Sequence, residues 1–192
     1  LSDTLVLAQS EEIQNDVTDD FADIDCEINI LGNAVSVPDE TANGERLLYV
    51  GRLARKKGVE YLLRAVAKLD THLTIVGDGP ERPRLERIAA ETGVEVTFEG
   101  EVNPNEVGHY YKSAAVSVLP SIEGEGMPNV ILEAMAWGLP VVATDSGGVP
   151  TLINDESNGY LVPMRDVDAL SEKIQLLLNN EQHQEELGQN AR

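Results

Sequence analysis

The stretch that decides the fold runs from residue 47 to residue 79 and reads LLYVGRLARKKGVEYLLRAVAKLDTHLTIVGDG. It contains two short apolar runs, at residues 47–50 and at Leu73–Val76, and each is followed by glycine. Between them, apolar residues recur at the spacing of one helix face. These are Val59, Leu62, Leu63, Val66 and Leu69. A strand, a helix and a second strand in this order predict a βαβ unit with parallel strands.

The downstream sequence continues this alternation of short apolar runs with helical periodicity. The predicted strands are residues 94–98, residues 116–119, Val141–Thr144 and residues 160–162. The predicted helices are residues 80–92, 104–113, 129–137 and 149–153, with one or two more over residues 166–191. Upstream, strands are predicted at Leu5–Ala8 and at residues 27–31, with a helix over residues 10–17 between them. This order predicts an α/β fold, a doubly wound parallel sheet in a single Rossmann-like domain.

Charge narrows the classes of partner. The 192 residues include 34 Asp and Glu against 14 Lys and Arg, a formal net charge of −20. Such a chain repels nucleic acid and anionic lipid over most of its surface, so neither is expected as a partner. Salt screens the repulsion between acidic side chains, which makes adaptation to high salt one hypothesis. The alternative is an ordinary acidic protein.

Composition also bears on location and on metal chemistry. Cys26 is the only cysteine, so a disulfide within one chain and a cysteine-based metal site are excluded. No apolar run approaches the roughly 20 residues that span a membrane, and no basic and apolar leader is present, so we expect a cytoplasmic protein without an integral membrane segment. Two Asp-x-Asp pairs, Asp23/Asp25 and Asp166/Asp168, fit an acidic linker and a helix cap better than a metal site. We therefore expect no metal.

A basic cluster lies where ligands bind in such a sheet, beyond the carboxyl ends of the strands. Directly after Gly51, four of the fourteen basic residues fall within six positions: Arg52, Arg55, Lys56 and Lys57. On so acidic a chain, this cluster favours a site for a polyanion such as a diphosphate. The alternative is an ordinary solvated run of charges. Arg55 and Lys56 are expected to face solvent, which leaves Arg52 and Lys57 as the better candidates.

A second candidate is the segment EGMPNVILE from Glu125 to Glu133. Pro128 suits the first turn of the predicted helix, so the free N–H groups of residues 127–130 would face the loop and attract a phosphate. Carboxylates in such a place accept hydrogen bonds from sugar or ribose hydroxyls. The alternative is a capped surface helix. Glu123, in a duplicated Glu-Gly step, competes with Glu125 for the role.

Two other patterns point away from redox and nucleophilic chemistry. Residues 76–80 (VGDGP) look like half of a dinucleotide fingerprint, but the third glycine is missing and Pro80 disturbs the spacing. A tight turn that lines a pocket is therefore favoured over a nicotinamide or flavin site. The three histidines are scattered, and no Ser-His-Asp or Cys-His set is arranged for catalysis. We expect no cofactor.

Together these segments resemble the family-4 group of retaining glycosyltransferases with the GT-B fold. Residues 48–58 (LYVGRLARKKG) are similar to that family's diphosphate-binding loop, and residues 74–81 (TIVGDGPE) to its second strand and turn. Residues 125–148 are similar to its E-x7-E region and the strand beyond, and residues 158–163 (NGYLVP) to the following turn and strand. The likeness covers roughly residues 28–192.

The resemblance implies a role for each candidate residue. Arg52 and Lys57 would bind the diphosphate of a nucleoside-diphosphate (NDP) sugar donor and stabilise it as it leaves. Glu125 would hold the donor sugar and is the third catalytic candidate. Glu133 would bind the ribose, and the base would lie near Gly77 and residues 98–102. The other donor-binding residues implied are Gly51, Gly126, Met127, Pro128, Asn129 and Val130.

The resemblance also implies a partner domain, because the family has two Rossmann-like domains with the reaction between them. Residues 1–36 would be the end of the N-terminal domain and the linker, and residues 37–192 the donor-binding domain, the C-terminal half of the fold. The acceptor domain of the same enzyme would then be missing, so we expect this chain to bind donor but to transfer sugar poorly or not at all. The full-length enzyme would act in the cytoplasm or at the inner membrane surface. The alternatives are a GT-B sugar-nucleotide epimerase, a non-catalytic nucleotide-binding module and a Rossmann oxidoreductase.

Overall fold

The structure is a computed structural model that describes residues 5–8, 27–30 and 33–192. Two short strands, β1 (Leu5–Ala8) and β2 (Glu27–Ile30), pair in parallel with Leu5 opposite Glu27. Both strands agree with the sequence prediction. The helix predicted over residues 10–17 lies outside the described residues.

The main sheet has six strands, all parallel, in the order β5-β4-β3-β6-β7-β8. They are β3 (Arg46–Val50), β4 (Leu73–Val76), β5 (Val96–Gly100), β6 (Ala114–Leu119), β7 (Val141–Thr144) and β8 (Gly159–Val162). The chain moves outward from β3 through β4 to β5, then returns to β6 beside β3 and moves outward again through β7 to β8. The strand order therefore reverses between β3 and β6, which is where ligands bind in such sheets. The predicted doubly wound parallel sheet is confirmed.

Six helices cover the sheet in the described part of the chain. They are α1 (Val59–Val66), α2 (Arg82–Thr92), α3 (Val107–Lys112), α4 (Asn129–Ala136), α5 (Val167–Leu178) and α6 (Glu181–Ala191). Two 3₁₀ turns, Arg55–Lys57 and Val149–Thr151, add short helical connections. Among residues 5–8, 27–30 and 33–192, no helix combines the length and the apolar character needed to cross a membrane.

The sheet separates two hydrophobic cores, and β3 contributes to both. Leu47 and Tyr49 pack in the core with α1, α2 and α5, whereas Leu48 packs in the core with α3 and α4. Successive side chains of a strand project to opposite faces, so one strand serves both cores. None of these three side chains is more than 1% exposed. A sheet covered on both faces explains why the central strands are continuous apolar runs in the sequence.

Several predicted boundaries are wrong by two or three residues. The helix predicted from residue 104 begins at Val107, and the strand predicted from residue 116 begins at Ala114. The helix predicted from Pro80 begins at Arg82, because the turn before it packs on the carbonyl oxygen of Leu53, which accepts a hydrogen bond from the N–H of the N-cap residue. The strand predicted over residues 94–98 runs over Val96–Gly100, because its pairing with β4 continues to that glycine. The start of α2 thus depends on a contact with another loop, and the end of β5 depends on strand pairing. Periodicity encodes neither of these interactions.

Candidate functional site

The loops that follow β3 and β4 pack against each other at the carboxyl edge of the sheet. The N–H of Gly51 donates to the carbonyl oxygen of Val76 at 2.9 Å, and the N–H of Leu53 donates to that of Asp78 at 2.9 Å. Gly77 has a φ of 123°, and a Cβ at this residue would lie 2.1 Å from the carbonyl oxygen of Gly51. A side chain does not fit so close an approach of two backbones. Gly51 and Gly77, both candidates from the sequence, therefore lie side by side.

The loops on the two sides of the switch point meet in an ion pair. Lys57 ends the 3₁₀ turn after β3, and Glu125 lies in the loop after β6. Lys57 Nζ donates to Oε1 of Glu125 at 2.6 Å, and 19% and 11% of the two side chains are exposed. The backbones are also joined, because the N–H of Ile122 donates to the carbonyl oxygen of Lys56 at 2.8 Å. The fold thus brings together two candidate residues that are 68 positions apart in the sequence.

Several groups orient Glu125. The fully buried Ser121 donates its hydroxyl to the same Oε1, and its own carbonyl oxygen accepts from the hydroxyl of Thr144 at 2.5 Å. The carbonyl oxygen of Glu125 accepts from the N–H of Gly148 at 2.7 Å. At Gly147, where φ is 54°, a Cβ would lie 2.2 Å from that oxygen. Within residues 33–192 both side-chain hydrogen bonds of Glu125 end on Oε1, which leaves Oε2 to accept from a ligand.

The other charged residues of these loops are exposed. Glu123 is exposed, so of the two competing glutamates it is Glu125 that lies against the lysine. Arg55 and Lys56 are exposed, in agreement with the sequence prediction. Arg52 is exposed as well, and in the described part of the chain it enters no ion pair. Arg52 therefore lies on the same loop as the ion pair without contributing to it.

Tyr49 holds the backbone at Arg52. Its hydroxyl donates to the carbonyl oxygen of Arg52 at 3.1 Å, and its side chain is fully buried. Burial, together with the negative charge of Glu125, raises the pKa of Tyr49 above its ordinary value, so the phenol stays protonated and remains a donor. Sequence reasoning missed this residue because a tyrosine inside an apolar strand is typical of the core.

Helix α4 begins next to the ion pair with unfilled hydrogen-bond donors. Its N-cap is Pro128, which forms no side-chain capping bond, so the first N–H groups of the helix have no partner within the helix. Gly126 and Asn129 are exposed, and Met127 and Val130 are half-buried. This continuous segment therefore offers N–H groups to an anion or a sugar oxygen next to Glu125.

A residue far away in the sequence contacts the same segment. Asn33, in the extended chain before β3, donates from Nδ2 to the carbonyl oxygen of Met127 at 3.1 Å and to Oδ1 of Asn129 at 2.5 Å. Its backbone N–H also donates to the sulfur of Met127 at 3.3 Å. Sequence reasoning placed Asn33 only within residues 1–36, the end of the N-terminal domain and the linker. No pattern in the sequence links it to a loop 94 residues away.

Glu133, the second carboxylate of the pair, lies one turn into α4 and is half-buried. The hydroxyl of Tyr111 donates to its Oε2 at 2.8 Å. Burial, and then the charge of Glu133, raise the pKa of Tyr111 above its ordinary value, so this hydroxyl is a permanent donor. Tyr111 thus fixes the orientation of Glu133 and leaves Oε1 to accept from a ligand. This tyrosine was not predicted as part of the site.

Two further findings concern metal ligands and the position of a cleft. Across residues 5–8, 27–30 and 33–192, no three or more His, Cys, Asp or Glu residues are placed to share a metal ion. A cleft of about 230 Å³ lies between Ala42, Gly138, Gly188 and Arg192. Its lining includes residues that precede β3 and β7 and the first two residues of β6, so it lies at the amino edge of the sheet, opposite the Lys57–Glu125 pair. Glycines and a lysine–glutamate pair mark the candidate site.

The class of protein follows from the sheet and the site together. A doubly wound parallel sheet with a lysine, two carboxylates and an open helix N-terminus at its switch point defines a Rossmann-like ligand-binding domain. Residues 36–192 match the family described as Glycosyl transferases group 1. The chain belongs to this family.

Individual relatives agree with the family. The chain is 40% identical over 152 residues to an uncharacterized glycosyltransferase of Methanocaldococcus jannaschii, covering 76% of this chain and 39% of the relative. It is 36% identical over 152 residues to the alpha-D-kanosaminyltransferase of Streptomyces kanamyceticus, again covering 76% and 39%. The HepE protein of Anabaena in complex with UDP shares the fold with a TM-score of 0.87 at 22% identity, covering 97% of this chain and 57% of that one. The chain thus spans about two fifths of the length of these curated relatives.

Proposed function

We propose that this chain is the C-terminal, donor-binding domain of a retaining GT-B glycosyltransferase of family 4, and that it binds an NDP-sugar. The observation that carries the proposal is the Lys57–Glu125 ion pair at the switch point, next to the open N-terminus of α4. A cation, a carboxylate and free N–H groups are the chemistry that a sugar diphosphate needs in one place. Membership of the family makes this ligand the expected one.

In the proposed complex, the diphosphate lies at the loop after β3. Lys57 turns from Glu125 toward the phosphate oxygens, and the exposed Arg52 closes over them from the same loop. When the bond from sugar to phosphate breaks, negative charge grows on the diphosphate and positive charge on the sugar. Fixed cations that face the phosphate lower this barrier. Arg52 and Lys57 supply this positive charge from side chains.

The rest of the donor follows the edge of the sheet. Oε2 of Glu125 and the N–H groups of Gly126, Met127 and Asn129 hold the sugar, and Oε1 of Glu133 accepts from the ribose. The base lies against Gly77, where the backbone is bare of side chains. Tyr49, Ser121 and Tyr111 contribute by holding Arg52, Glu125 and Glu133 in place.

The whole enzyme extends beyond this domain. We infer that residues 1–36 form the end of an N-terminal domain and the linker, and that the acceptor domain of the same enzyme completes the active site in the cytoplasm. The matched relatives are more than twice as long as the matched region, which supports a second domain. We expect the present chain to bind donor and to transfer little sugar without that domain.

The test is a calorimetric titration of the chain with UDP, GDP, ADP and NAD. UDP is included because the HepE neighbour holds it. We expect one nucleoside diphosphate to bind and NAD not to bind. Tight binding of NAD with no binding of any nucleoside diphosphate would reject the proposal in favour of an oxidoreductase. Rapid sugar transfer by this chain alone would reject the claim that a separate acceptor domain is needed to complete the active site.

A further inference from the structure

Asn33 contacts Met127 of the proposed donor site from 94 residues away in the sequence. The residue lies in the extended segment before β3, and its side chain reaches Met127 and Asn129, which lead into α4. Because Pro128 provides no side-chain capping bond, Asn33 supplies from outside the helix a contact that holds the start of α4. The Glu125 end of the loop is held separately by Gly148.

The orientation of the Asn33 carboxamide is determined by its partners. The carbonyl oxygen of Met127 can only accept, so the atom of Asn33 at 3.1 Å from it must be the NH₂ group. The same NH₂ group lies 2.5 Å from the Asn129 side chain, which must therefore present its oxygen to Asn33. Asn129 is exposed, and because its Oδ1 is turned toward Asn33, its NH₂ group is the end of the side chain that points away from that contact and can donate to a ligand.

We propose that Asn33 is a positioning residue for the donor sugar: it holds the Met127–Asn129 segment and makes Asn129 present a hydrogen-bond donor. The inference rests on the proposed function, because the sugar is the ligand assigned to this segment. The oxygens of a sugar accept hydrogen bonds from such an NH₂ group. In the proposed complex Arg52, Lys57 and Gly77 hold the nucleotide, whereas the segment that Asn33 contacts holds the sugar. The sugar should therefore sense Asn33, and the nucleotide should not.

Asn33→Asp tests this with almost no change in shape. A carboxylate at residue 33 accepts instead of donating, so it loses the bond to Met127 and draws the NH₂ group of Asn129 inward. Asn33→Ala removes the bonds without reversing them, so we expect it to be the milder variant. The matched control is Asn190→Asp, because Asn190 donates from Nδ2 to the carbonyl oxygen of Ser157 at 3.0 Å on another part of the surface and undergoes the same change of charge.

The first measurement is the dissociation constant of UDP and of UDP-glucose, or of GDP and GDP-mannose if GDP is the nucleotide that binds. We expect Asn33→Asp to weaken the nucleotide sugar about tenfold, the equivalent of one hydrogen bond to a polar ligand, and to leave the nucleotide within about twofold. Equal losses for nucleotide and nucleotide sugar overturn the inference. So does an effect of Asn33→Ala larger than that of Asn33→Asp.

The second measurement needs no ligand. The N–H of Ile131 donates to the carbonyl oxygen of Pro128 at 3.0 Å and closes the first turn of α4. We expect its hydrogen exchange to become several-fold faster in Asn33→Asp and to stay unchanged in Asn190→Asp. If the wild-type chain binds donor but the exchange of the Ile131 N–H is unchanged in Asn33→Asp, the role of Asn33 is overturned and the proposed function is not affected. A wild-type chain that binds no nucleotide overturns the proposed function and, with it, the claim about the sugar, whereas the exchange rate still decides whether Asn33 holds α4.

Discussion

Replacing Lys57 with methionine removes the ammonium that contacts Glu125 and keeps most of the apolar stem. The two charged groups are 2.6 Å apart, and less than a fifth of either side chain is exposed, so water screens the pair only in part. A hydrogen bond to a charged group contributes about 1.5–3 kcal/mol, and partial exposure places this one near the lower end, about 1.5–2 kcal/mol. For a domain of this size that loss lowers the melting temperature by about 3–8 °C.

In the proposed complex the same substitution also removes a charge that contacts the diphosphate. We expect the affinity for the nucleoside diphosphate to fall about 10- to 100-fold, which corresponds to about 1.4–2.8 kcal/mol. Glu125→Gln should act in the opposite direction on the nucleotide, because a neutral amide holds Lys57 less firmly and releases it to the phosphates. Calorimetric titration gives both affinities, and a thermal melt gives the stability of each variant. The control is Lys56→Met, an exposed neighbour with the same change in net charge.

Two results would refute this reasoning. If Lys56→Met weakens the nucleotide as much as Lys57→Met, the effect comes from net charge and not from a placed ammonium. If Glu125→Gln weakens the nucleoside diphosphate as strongly as Lys57→Met, the two residues form a structural unit, and Lys57 is not exchanged between Glu125 and the ligand.

Four further predictions follow from the loops and the charge. Arg52→Met should weaken nucleoside diphosphate binding about tenfold, and Arg55→Met, one turn away and equally exposed, should not; equal affinities in a titration would remove Arg52 from the site. Gly77→Ala should cost several kcal/mol in urea unfolding, since a Cβ collides with a carbonyl oxygen at 2.1 Å and φ is 123°; a change below about 1 kcal/mol would show that the loops part easily. Hydrogen bonds from the N–H of Gly79, and then from Arg82, hold the pKa of Asp78 below its usual range. The ionised carboxylate therefore stabilises the fold at pH values above about 4, the pKa of Asp in the unfolded chain. This stabilisation is lost as the pH falls through the lowered pKa of the folded state. Asp78→Asn should thus be less stable than wild type at pH 7 and converge with it under acid, and curves that stay parallel would contradict this. Finally, a charge of −20 predicts that the melting temperature rises toward molar KCl if the chain is adapted to salt, and a flat series would favour an ordinary acidic protein.

The fold could be predicted because each strand and helix has its own periodicity. The alternation of apolar runs and amphipathic stretches can be read without knowing any long-range contact. It predicted the six strands that form the observed parallel sheet. Element boundaries were less predictable. The start of α2 depends on the carbonyl oxygen of Leu53, which belongs to another loop, and the end of β5 depends on its partner β4.

The site was predictable to the extent that it depends on topology. Ligands bind at the switch point of a doubly wound sheet, and charged residues in the loops there could be named from the sequence, Lys57 and Glu125 among them. The residues that orient these groups could not be named. Tyr49 and Ser121 are buried, and their residue types are equally typical of a core and of a turn. Asn33 acts across 94 residues, a distance over which a single sequence carries no contact information.

The Lys57–Glu125 pair also explains how a cationic site persists on so acidic a chain. With a net charge of −20, the surrounding field draws any exposed lysine toward the nearest carboxylate and repels an approaching diphosphate. Salt screens that field over about 10 Å at 0.1 M, but it acts much less on two groups that are 2.6 Å apart and mostly buried. Added salt therefore weakens this pair less than it weakens the long-range repulsion that would oppose the proposed donor. The affinity of an ordinary site for a polyanion falls as salt is added. Here the added salt also screens the repulsion between the acidic surface and the diphosphate, so we expect the affinity to fall less steeply with salt.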